Sequence, residues 1–208
     1  MEGETDFRVS FLEWPGVTSS PATDHPDDAL VRAAQDGDRG AFGLLYMRYA
    51  RMVHGILLAR VPHTAVEDLV HDVFLLALPR LRSLRDASRF GGWLAAIARN
   101  RAADFHRQTR QGRELQGELG SGAAEPHPAS HTHQAEALAI LDAIRTLPGA
   151  YRVTLILRLV EGMTGPEIAA HTGLTHGSVR VNLHRGMQQL RGILGHEAEP
   201  EKPAADAE

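Results

Sequence analysis

The chain has 208 residues, contains no cysteine and carries a formal net charge of −4 at pH 7. Its 43% hydrophobic and 23% charged residues are typical of globular proteins rather than of disordered or membrane proteins. The lack of cysteine excludes disulfides, thiolate metal ligands and a cysteine nucleophile. No apolar run approaches the roughly 20 residues that span a bilayer, and the acidic start MEGETDFRVS is not a secretory signal. We therefore expect a soluble, cytoplasmic protein without membrane insertion.

Residues 1–26 form an acidic, proline-containing N-terminal extension. This composition favours an unstructured leader, so we expect the extension to be disordered. The segment FRVSFLEW, residues 7–14, leaves a second interpretation open, because its apolar side chains could dock on a partner or on the folded domain.

Two helices are predicted to open the folded region. Asp27 can cap the first helix, and Gly37 ends it. The second helix begins at about Arg39, carries apolar residues at spacings of three and four, and is closed by Pro62.

A third helix is predicted from a capping box formed by Thr64 and Glu67, and it should run through Leu78 and end before Pro79. Opposite its apolar stripe lies a face that mixes polar groups with one leucine: Asp68, His71, Asp72 and Leu75. A single exposed leucine is ordinary on a protein surface. An apolar anchor ringed by charges is also typical of a docking surface, and both interpretations stay open.

The stretch RFGGWLAAIARNRAADFHRQTR, residues 89–110, is predicted to form a helix with one apolar and one cationic face. Nine arginines and two aspartates lie between residues 80 and 113, a local charge of +7 in a chain of net charge −4. A solvated surface helix would explain the charge alone. Cations beside a tryptophan and two phenylalanines instead favour binding to phosphates and unpaired bases. Within the apolar stripe we predict an ion pair between Arg101 and Asp104.

Residues 111–134 have no apolar periodicity and are predicted to be a flexible linker. The linker contains His127, His131 and His133, which could suggest a metal site. These histidines have no carboxylate or thiolate neighbours in a fixed frame, so we predict neither a metal site nor a cofactor.

A second helical unit is predicted over residues 135–195. After two amphipathic helices, a capping box of Thr164 and Glu167 starts a short helix, Gly173 allows a tight turn, and Thr175 caps a long helix to about Leu194. This spacing is typical of a helix-turn-helix. The tail, 196–208, is acidic and expected to be disordered. The predicted fold is all-α, with two small helical domains joined by a flexible linker, the second a helix-turn-helix domain.

The long helix should pack through Val179, Leu183, Met187, Leu190 and Leu194. Its opposite face carries cations around one β-branched residue, with no carboxylate between residues 175 and 196: Gly177, Arg180, Val181, His184, Gln188 and Arg191, with Arg185 at the edge. Arginine can bind guanine edges or phosphates, and valine can contact a thymine methyl group. The face therefore predicts binding in the DNA major groove, and Gly186 should cost the helix about 1 kcal/mol relative to alanine.

Four segments in this order resemble the extracytoplasmic-function sigma factors, which are bacterial transcription initiation factors. The similarity extends over about 27–194 and rests on DDALVRAAQDGDRGAFGLLYMRYA, VEDLVHDVFLLA, FGGWLAAIARNRAADFHR and LPGAYRVTLILRLVEGMTGPEIAAHTGLTHGSVRVNLHRGMQQLR. The resemblance implies a region 2 domain at 27–110, for polymerase docking and minus-ten recognition and melting, and a region 4 domain at 135–195, for minus-thirty-five recognition. It also implies core RNA polymerase (large-subunit clamp helices and flap) and promoter DNA as partners, often with an inhibitory anti-sigma factor.

The resemblance assigns roles to three groups of residues. Polymerase docking falls to Asp68, His71, Asp72 and Leu75. Minus-ten binding falls to Arg85, Arg89, Trp93, Arg99, Asn100, His106 and Arg107. Minus-thirty-five binding falls to His176, Ser178, Arg180, Val181, His184, Arg185, Gln188 and Arg191. The chain departs from the family pattern at His71, where glutamine is usual, and at His106, Val181 and Asn182.

Two other classes of protein would each explain only part of the sequence. A stand-alone helix-turn-helix DNA-binding regulator would explain 164–194, but neither the predicted docking face nor the cationic helix. An enzyme would need a centre at His71 with Asp68 and Asp72, whose spacing is explained more simply by a polar helix face, and no phosphate-binding loop or nucleophile motif is present. We therefore predict a transcription initiation factor and not an enzyme.

Overall fold

The computed structural model describes residues 27–115 and 132–195. Within these two ranges the chain is helical and has no strand, so the predicted all-α class is confirmed. None of the helices in the two ranges is long and apolar enough to cross a membrane. The α-helices are α1 (Asp27–Gln35), α2 (Arg39–Leu58), α3 (Val66–Arg80), α4 (Phe90–Leu115), α5 (Thr132–Thr146), α6 (Gly149–Leu159), α7 (Gly165–Thr172) and α8 (His176–Ile193).

Helix α2 is the central element of the N-terminal unit and packs against α1, α3 and α4. Its start is fixed by Asp38, whose carboxylate accepts hydrogen bonds from the backbone N–H groups of Gly40 and Ala41 at 2.7 and 3.1 Å. The apolar spacing predicted from the sequence is buried: Leu45, Met52 and Val53 are inaccessible to solvent. These side chains hold the neighbouring helices in place and so position both surfaces of functional interest on α3 and α4.

The start and end of α3 differ from the prediction. A single 3-10 turn over His63–Ala65 precedes the helix, and Ala65 occupies the capping position without a side-chain hydrogen bond. Thr64 therefore lies one residue too early to form a capping box with Glu67. The helix also runs through Pro79 to Arg80. The N–H that Pro79 lacks would serve the carbonyl of Leu75, an exposed residue where water can replace that bond.

The C-terminal unit contains the predicted helix-turn-helix. The Thr164 hydroxyl accepts from the Glu167 N–H at 3.4 Å, and the Glu167 carboxylate accepts from the Thr164 N–H at 2.6 Å, so this capping box is confirmed. Hydrogen bonds from the backbone and hydroxyl of Thr164 lower the pKa of Glu167. Gly173 ends α7 with φ of 74°, and Thr175 accepts from the Ser178 N–H at 3.1 Å to start α8.

Two residues differ from the prediction for the long helix, Leu194 at the end of α8 and Gly186 in its middle. Leu194, expected in the core, is 39% exposed because α8 ends at Ile193. Gly186, expected only to weaken the helix, is buried where α8 crosses α6. A Cβ at this glycine would lie 3.0 Å from a methyl carbon of Leu155 and 3.2 Å from Cβ of Tyr151. The close approach of the two helices explains a glycine in the middle of a helix.

The ends of the predicted linker are helical. Helix α4 continues to Leu115, and α5 begins at Thr132. Glutamine, arginine and glutamate propagate a helix well without an apolar face, which is why periodicity alone placed these ends in the linker. The remaining residues of the linker, including His127 and His131, lie outside the described residues, as do the N-terminal extension and the acidic tail.

The two units pack against each other and share one apolar core, which includes Met52 and Leu57 of α2 together with Ile144 and Leu155 of the second unit. Polar contacts reinforce this packing. Arg145 donates to the carbonyl oxygens of Leu58 and Val61 at 3.2 and 3.0 Å, and Arg152 donates to that of Ala59 at 3.1 Å. The second unit thus supplies hydrogen bonds to carbonyls at the C-terminal end of α2 that α2 itself cannot satisfy.

Further contacts join the first turn of α4 and the middle of α2 to the second unit. His54 Nδ1 lies 2.6 Å from a carboxylate oxygen of Glu161. The Tyr49 ring lies 4.8 Å from the His171 ring, and burial, followed by the hydrogen bond to Asp27, raises the pKa of Tyr49. At Gly91 the backbones of α4 and α7 meet, because a Cβ there would lie 2.3 Å from the carbonyl oxygen of His171.

We expect Gly91→Ala to open the contact between α4 and α7. The added methyl group would collide with a backbone atom, which cannot rotate away, and overpacking of this kind costs about 1–3 kcal/mol. Gly92→Ala is a matched control, since its Cβ would meet Thr172 at an ordinary 3.7 Å and gains the same helix propensity. Thermal unfolding and small-angle scattering should show a less stable, more extended Gly91→Ala protein. Equal stability and radius for the two variants would contradict the assigned contact.

Candidate polymerase and nucleic-acid interfaces

The outer face of α3 carries the predicted docking residues side by side. Leu75 is 60% exposed, and Asp68 and His71 are exposed two turns and one turn before it, respectively. Leu78, one turn after Leu75, is also exposed, at 46%, although the sequence analysis did not select it. The buried residues of the same helix face α2 and α4. Leu75 and Leu78 therefore form an apolar strip that the described part of the chain does not cover.

Asp72 lies at the edge of this face and is held by α4. The Arg101 guanidinium donates to one carboxylate oxygen of Asp72 at 2.7 and 3.1 Å. The predicted ion pair between Arg101 and Asp104 was wrong, because Arg101 pairs with Asp72 and Asp104 pairs with Arg107. Neighbouring helices bring Asp72 within reach of Arg101, a contact that spacing within α4 could not indicate. The pair links α3 to α4.

The cationic face of α4 is exposed as predicted. Arg99, Asn100 and Arg107 are exposed, whereas Phe90, Leu94 and Ala98 are buried. Trp93 is half-buried and packs 5.8 Å from the buried Phe90 ring. The tryptophan therefore keeps part of its ring accessible, while Phe90 belongs to the core and cannot stack on a base in this conformation.

The turn before α4 presents two more of the predicted cations. Arg85 and Arg89 are exposed, and Asp86 accepts from the Ser88 N–H at 3.1 Å to form a short 3-10 turn. Hydrogen bonds from Ser88, and then the charge of Arg89, lower the pKa of Asp86. The ion pair of Arg89 with Asp86, at 3.1 Å, fixes the direction of a mostly exposed guanidinium.

Positive charge is concentrated where α4 passes the end of α2. His106 donates from Nε2 to the carbonyl oxygen of Arg60 at 2.7 Å. Burial, and then the charges of Arg99 and Arg152, lower the pKa of Arg60. Like charges placed this close create a strong positive potential that favours an anionic ligand such as phosphate. Arg60 and Arg152 were not predicted from the sequence, because they reach this cluster from the turn after α2 and from α6.

The predicted reading face of α8 is exposed along its whole length: His176, Ser178, Arg180, Val181, His184, Arg185, Gln188 and Arg191. Val181 is 43% exposed, although a β-branched residue gains nothing from water. Val179 and Leu190 face the opposite way and are buried. The face is thus a row of cations and hydrogen-bonding groups around one apolar side chain, suited to phosphates and base edges.

A groove of about 430 Å³ separates α8 from α6 beside this face. Its apolar side is formed by four residues, of which Leu155 is buried and the others half-buried: Leu155, Leu159, Leu183 and Met187. Its polar edge is formed by exposed residues that are mainly basic: Arg158, His184, Gln188 and Arg191. The groove therefore suits an apolar ligand that also carries negative charge.

Two family models match the chain. The model for sigma-70 region 2 matches residues 45–112, and the model for sigma-70 region 4 matches residues 137–190. The first range contains α3, most of α2 and nearly all of α4. The second contains the helix-turn-helix of α7 and α8. Sigma factors act by binding in transcription initiation rather than by catalysis.

Named relatives and a solved structure agree with these matches. The chain is 33% identical over 174 residues to the ECF RNA polymerase sigma factor BldN of Streptomyces coelicolor, covering 81% of this chain and 66% of that protein. It is 33% identical over 168 residues to the RNA polymerase sigma factor CarQ of Myxococcus xanthus, covering 77% and 93%. The structure of CnrH, from Cupriavidus metallidurans, in complex with the cytosolic domain of CnrY matches with a TM-score of 0.56 and 25% identity, covering 83% and 99%. The chain belongs to the extracytoplasmic-function family of RNA polymerase sigma factors.

Proposed function

We propose that this sigma factor binds core RNA polymerase through the outer face of α3, opens the minus-ten element with α4 and its preceding turn, and reads the minus-thirty-five element with α8. The observation that carries the proposal is the presence of an uncovered apolar strip, Leu75 and Leu78, in the same chain as two exposed cationic helices. A stand-alone regulator would need only α8 and the short helix before it. The chain would act in the cytoplasm, with no catalytic step and no cofactor of its own.

The division of labour between α4 and α8 follows from their different surfaces. Helix α4 offers a half-exposed tryptophan beside arginines, a combination that stacks on unpaired bases and holds phosphates. Helix α8 offers a continuous exposed face without a carboxylate, which fits the major groove of a closed duplex. Strand opening and duplex reading are therefore assigned to separate units.

We expect a pre-opened promoter to rescue variants of α4 more than variants of α8. Trp93→Ala and Arg99→Ala should lose open-complex formation on duplex promoter, because they lack contacts to the unpaired strand, and a bubble spanning the minus-ten element removes the cost of melting. Arg180→Ala should gain little from the same bubble. Open complexes on both templates are counted as heparin-resistant complexes that yield a run-off transcript, with saturating core polymerase. Equal rescue of both groups would contradict the division.

A second protein partner remains a prediction for this chain. The CnrH structure was solved with the cytosolic domain of CnrY, so a protein of this fold can be held by a second chain. An anti-sigma factor that covers α3 or α8 would keep the chain from polymerase or from DNA.

A further inference from the structure

The groove between α6 and α8 is an apolar site with a basic edge and no occupant among the described residues. Leu159, Leu183 and Met187 remain half-exposed in it, and its volume of about 430 Å³ falls within the roughly 300–1,000 Å³ of ligand pockets. Grooves of this kind between helices receive amphipathic helices whose anchors recur at positions i, i+4 and i+7.

The N-terminal extension contains a segment with this spacing. Phe7, Phe11 and Trp14 stand at i, i+4 and i+7, and Pro15 follows directly, where a helix would have to end. The whole chain has only 11 aromatic residues, yet three of them fall within these eight positions. Segments that remain disordered are poor in aromatic residues, so this cluster favours burial in a site.

We propose that residues 6–14 fold as a short helix into the groove between α6 and α8 of the same chain, with Phe7, Phe11 and Trp14 against its apolar side. Charge complementarity supports this occupant. Residues 2–14 carry four carboxylates against Arg8, whereas the groove edge carries Arg158, His184 and Arg191. Such pairs lie at the rim of the interface, where they guide association more than they strengthen it.

The described chain begins at a place from which the segment can reach the groove. Asp27 accepts from the Tyr49 hydroxyl at 2.6 Å, and Tyr49 contacts His171 of α7, the helix that packs against α8. Twelve residues, 15–26, connect Trp14 to Asp27. An extended chain of that length spans up to roughly 40 Å, more than the roughly 27 Å length of an 18-residue helix such as α8.

Docking there would cover part of the reading face. His184, Gln188 and Arg191 belong both to the groove edge and to the DNA-binding face of α8. The segment would therefore compete with the minus-thirty-five element for the same side chains. This consequence rests on the proposed function, whereas the docking itself does not.

The absence of cysteine allows a direct test in the full chain. A bimane fluorophore attached at Gln188→Cys lies at the groove edge, and contact with Trp14 would quench it. The matched control is bimane at Gln189→Cys, which is also exposed but lies about 100° further around α8. Trp93 is present in every sample and cannot cause a difference between variants. We expect quenching at position 188, weak quenching at 189, and loss of quenching at 188 in Trp14→Leu.

A double variant Phe7→Ala/Phe11→Ala keeps the quencher but removes two anchors, and it should also lose the quenching at 188. These changes lie outside the described helices, so circular dichroism should lose no more than the helical signal of the nine docked residues. Equal quenching at both positions, or quenching that survives the double variant, would overturn the proposal. Quenching that disappears on dilution would also overturn it, because the segment would then occupy the groove of a second copy. Neither DNA nor polymerase is present, so the outcome is independent of the proposed function.

Discussion

Replacing Leu75 with arginine should abolish binding of the chain to core RNA polymerase. Leu75 is the most exposed large apolar side chain of α3, and it stands next to Leu78 and among acidic residues. At a protein interface such an anchor fills a pocket from which water is excluded, and truncating one typically costs 2 kcal/mol or more, roughly a 30-fold loss of affinity. A buried, unpaired arginine costs more than a truncation. Co-purification with core enzyme is the measurement.

The control for this prediction is Ile193→Arg, which adds the same charge at a residue that is 52% exposed on α8. This variant should keep its binding to core enzyme. Both variants should retain the helical circular dichroism of the parent, because neither site belongs to the core. Retained binding by Leu75→Arg would contradict the docking assignment. Loss of helical signal in that variant would place Leu75 in a structural role instead.

Single substitutions on the reading face of α8 should divide into two classes of promoter behaviour. Arg180→Ala and Val181→Ala remove groups that we propose contact bases, and each should cost about 1–3 kcal/mol at one promoter position while relaxing the preference there. Arg191→Ala removes a proposed phosphate contact near the end of the helix. It should weaken all promoters alike and reduce the slope of log affinity against log salt by about one.

A promoter library selected with the parent and the three variants measures both effects together. Gln189→Ala is a suitable control, because Gln189 is exposed on α8 but lies off the predicted face. The contrary result is that Val181→Ala keeps the full sequence preference at the minus-thirty-five element while Arg191→Ala changes that preference. The face that contacts bases would then lie about a third of a helical turn away from the predicted one.

The helices and their buried faces could be predicted because they depend on local sequence. The apolar spacing in α2, the capping box at Thr164 and Glu167, and the left-handed Gly173 each involve only a few neighbouring residues. Periodicity also separated Val179 and Leu190 from the exposed face of α8. The helix-turn-helix therefore followed from the sequence without knowledge of its surroundings.

Errors arose where a local pattern competed with its context. Thr64 and Glu67 have the spacing of a capping box, but a preceding 3-10 turn moves the cap to Ala65. Arg101 has a carboxylate three residues away, yet it pairs with Asp72 across two helices. Spacing along one helix indicates only the ion-pair partners within that helix. Tertiary packing can bring the arginine closer to a carboxylate on another helix.

The packing of the two units against each other could not be predicted from the sequence. From the sequence, Gly186 was expected only to weaken α8. The structure shows that this glycine is buried against Leu155 of α6. Arg152 was not singled out in the sequence, whereas in the structure it donates to the carbonyl oxygen of Ala59 in the other unit and adds to the positive charge around Arg60. Both depend on contacts between residues far apart in the chain.

Run-off transcription with purified core polymerase on genomic DNA, followed by mapping of the start sites, tests whether the chain is an initiation factor. We expect the chain added to core enzyme to produce discrete starts that share sequences near minus ten and minus thirty-five, and Leu75→Arg to produce none. No transcription above core enzyme alone, together with specific binding of the free chain to duplex DNA, would contradict this expectation and identify a stand-alone regulator instead.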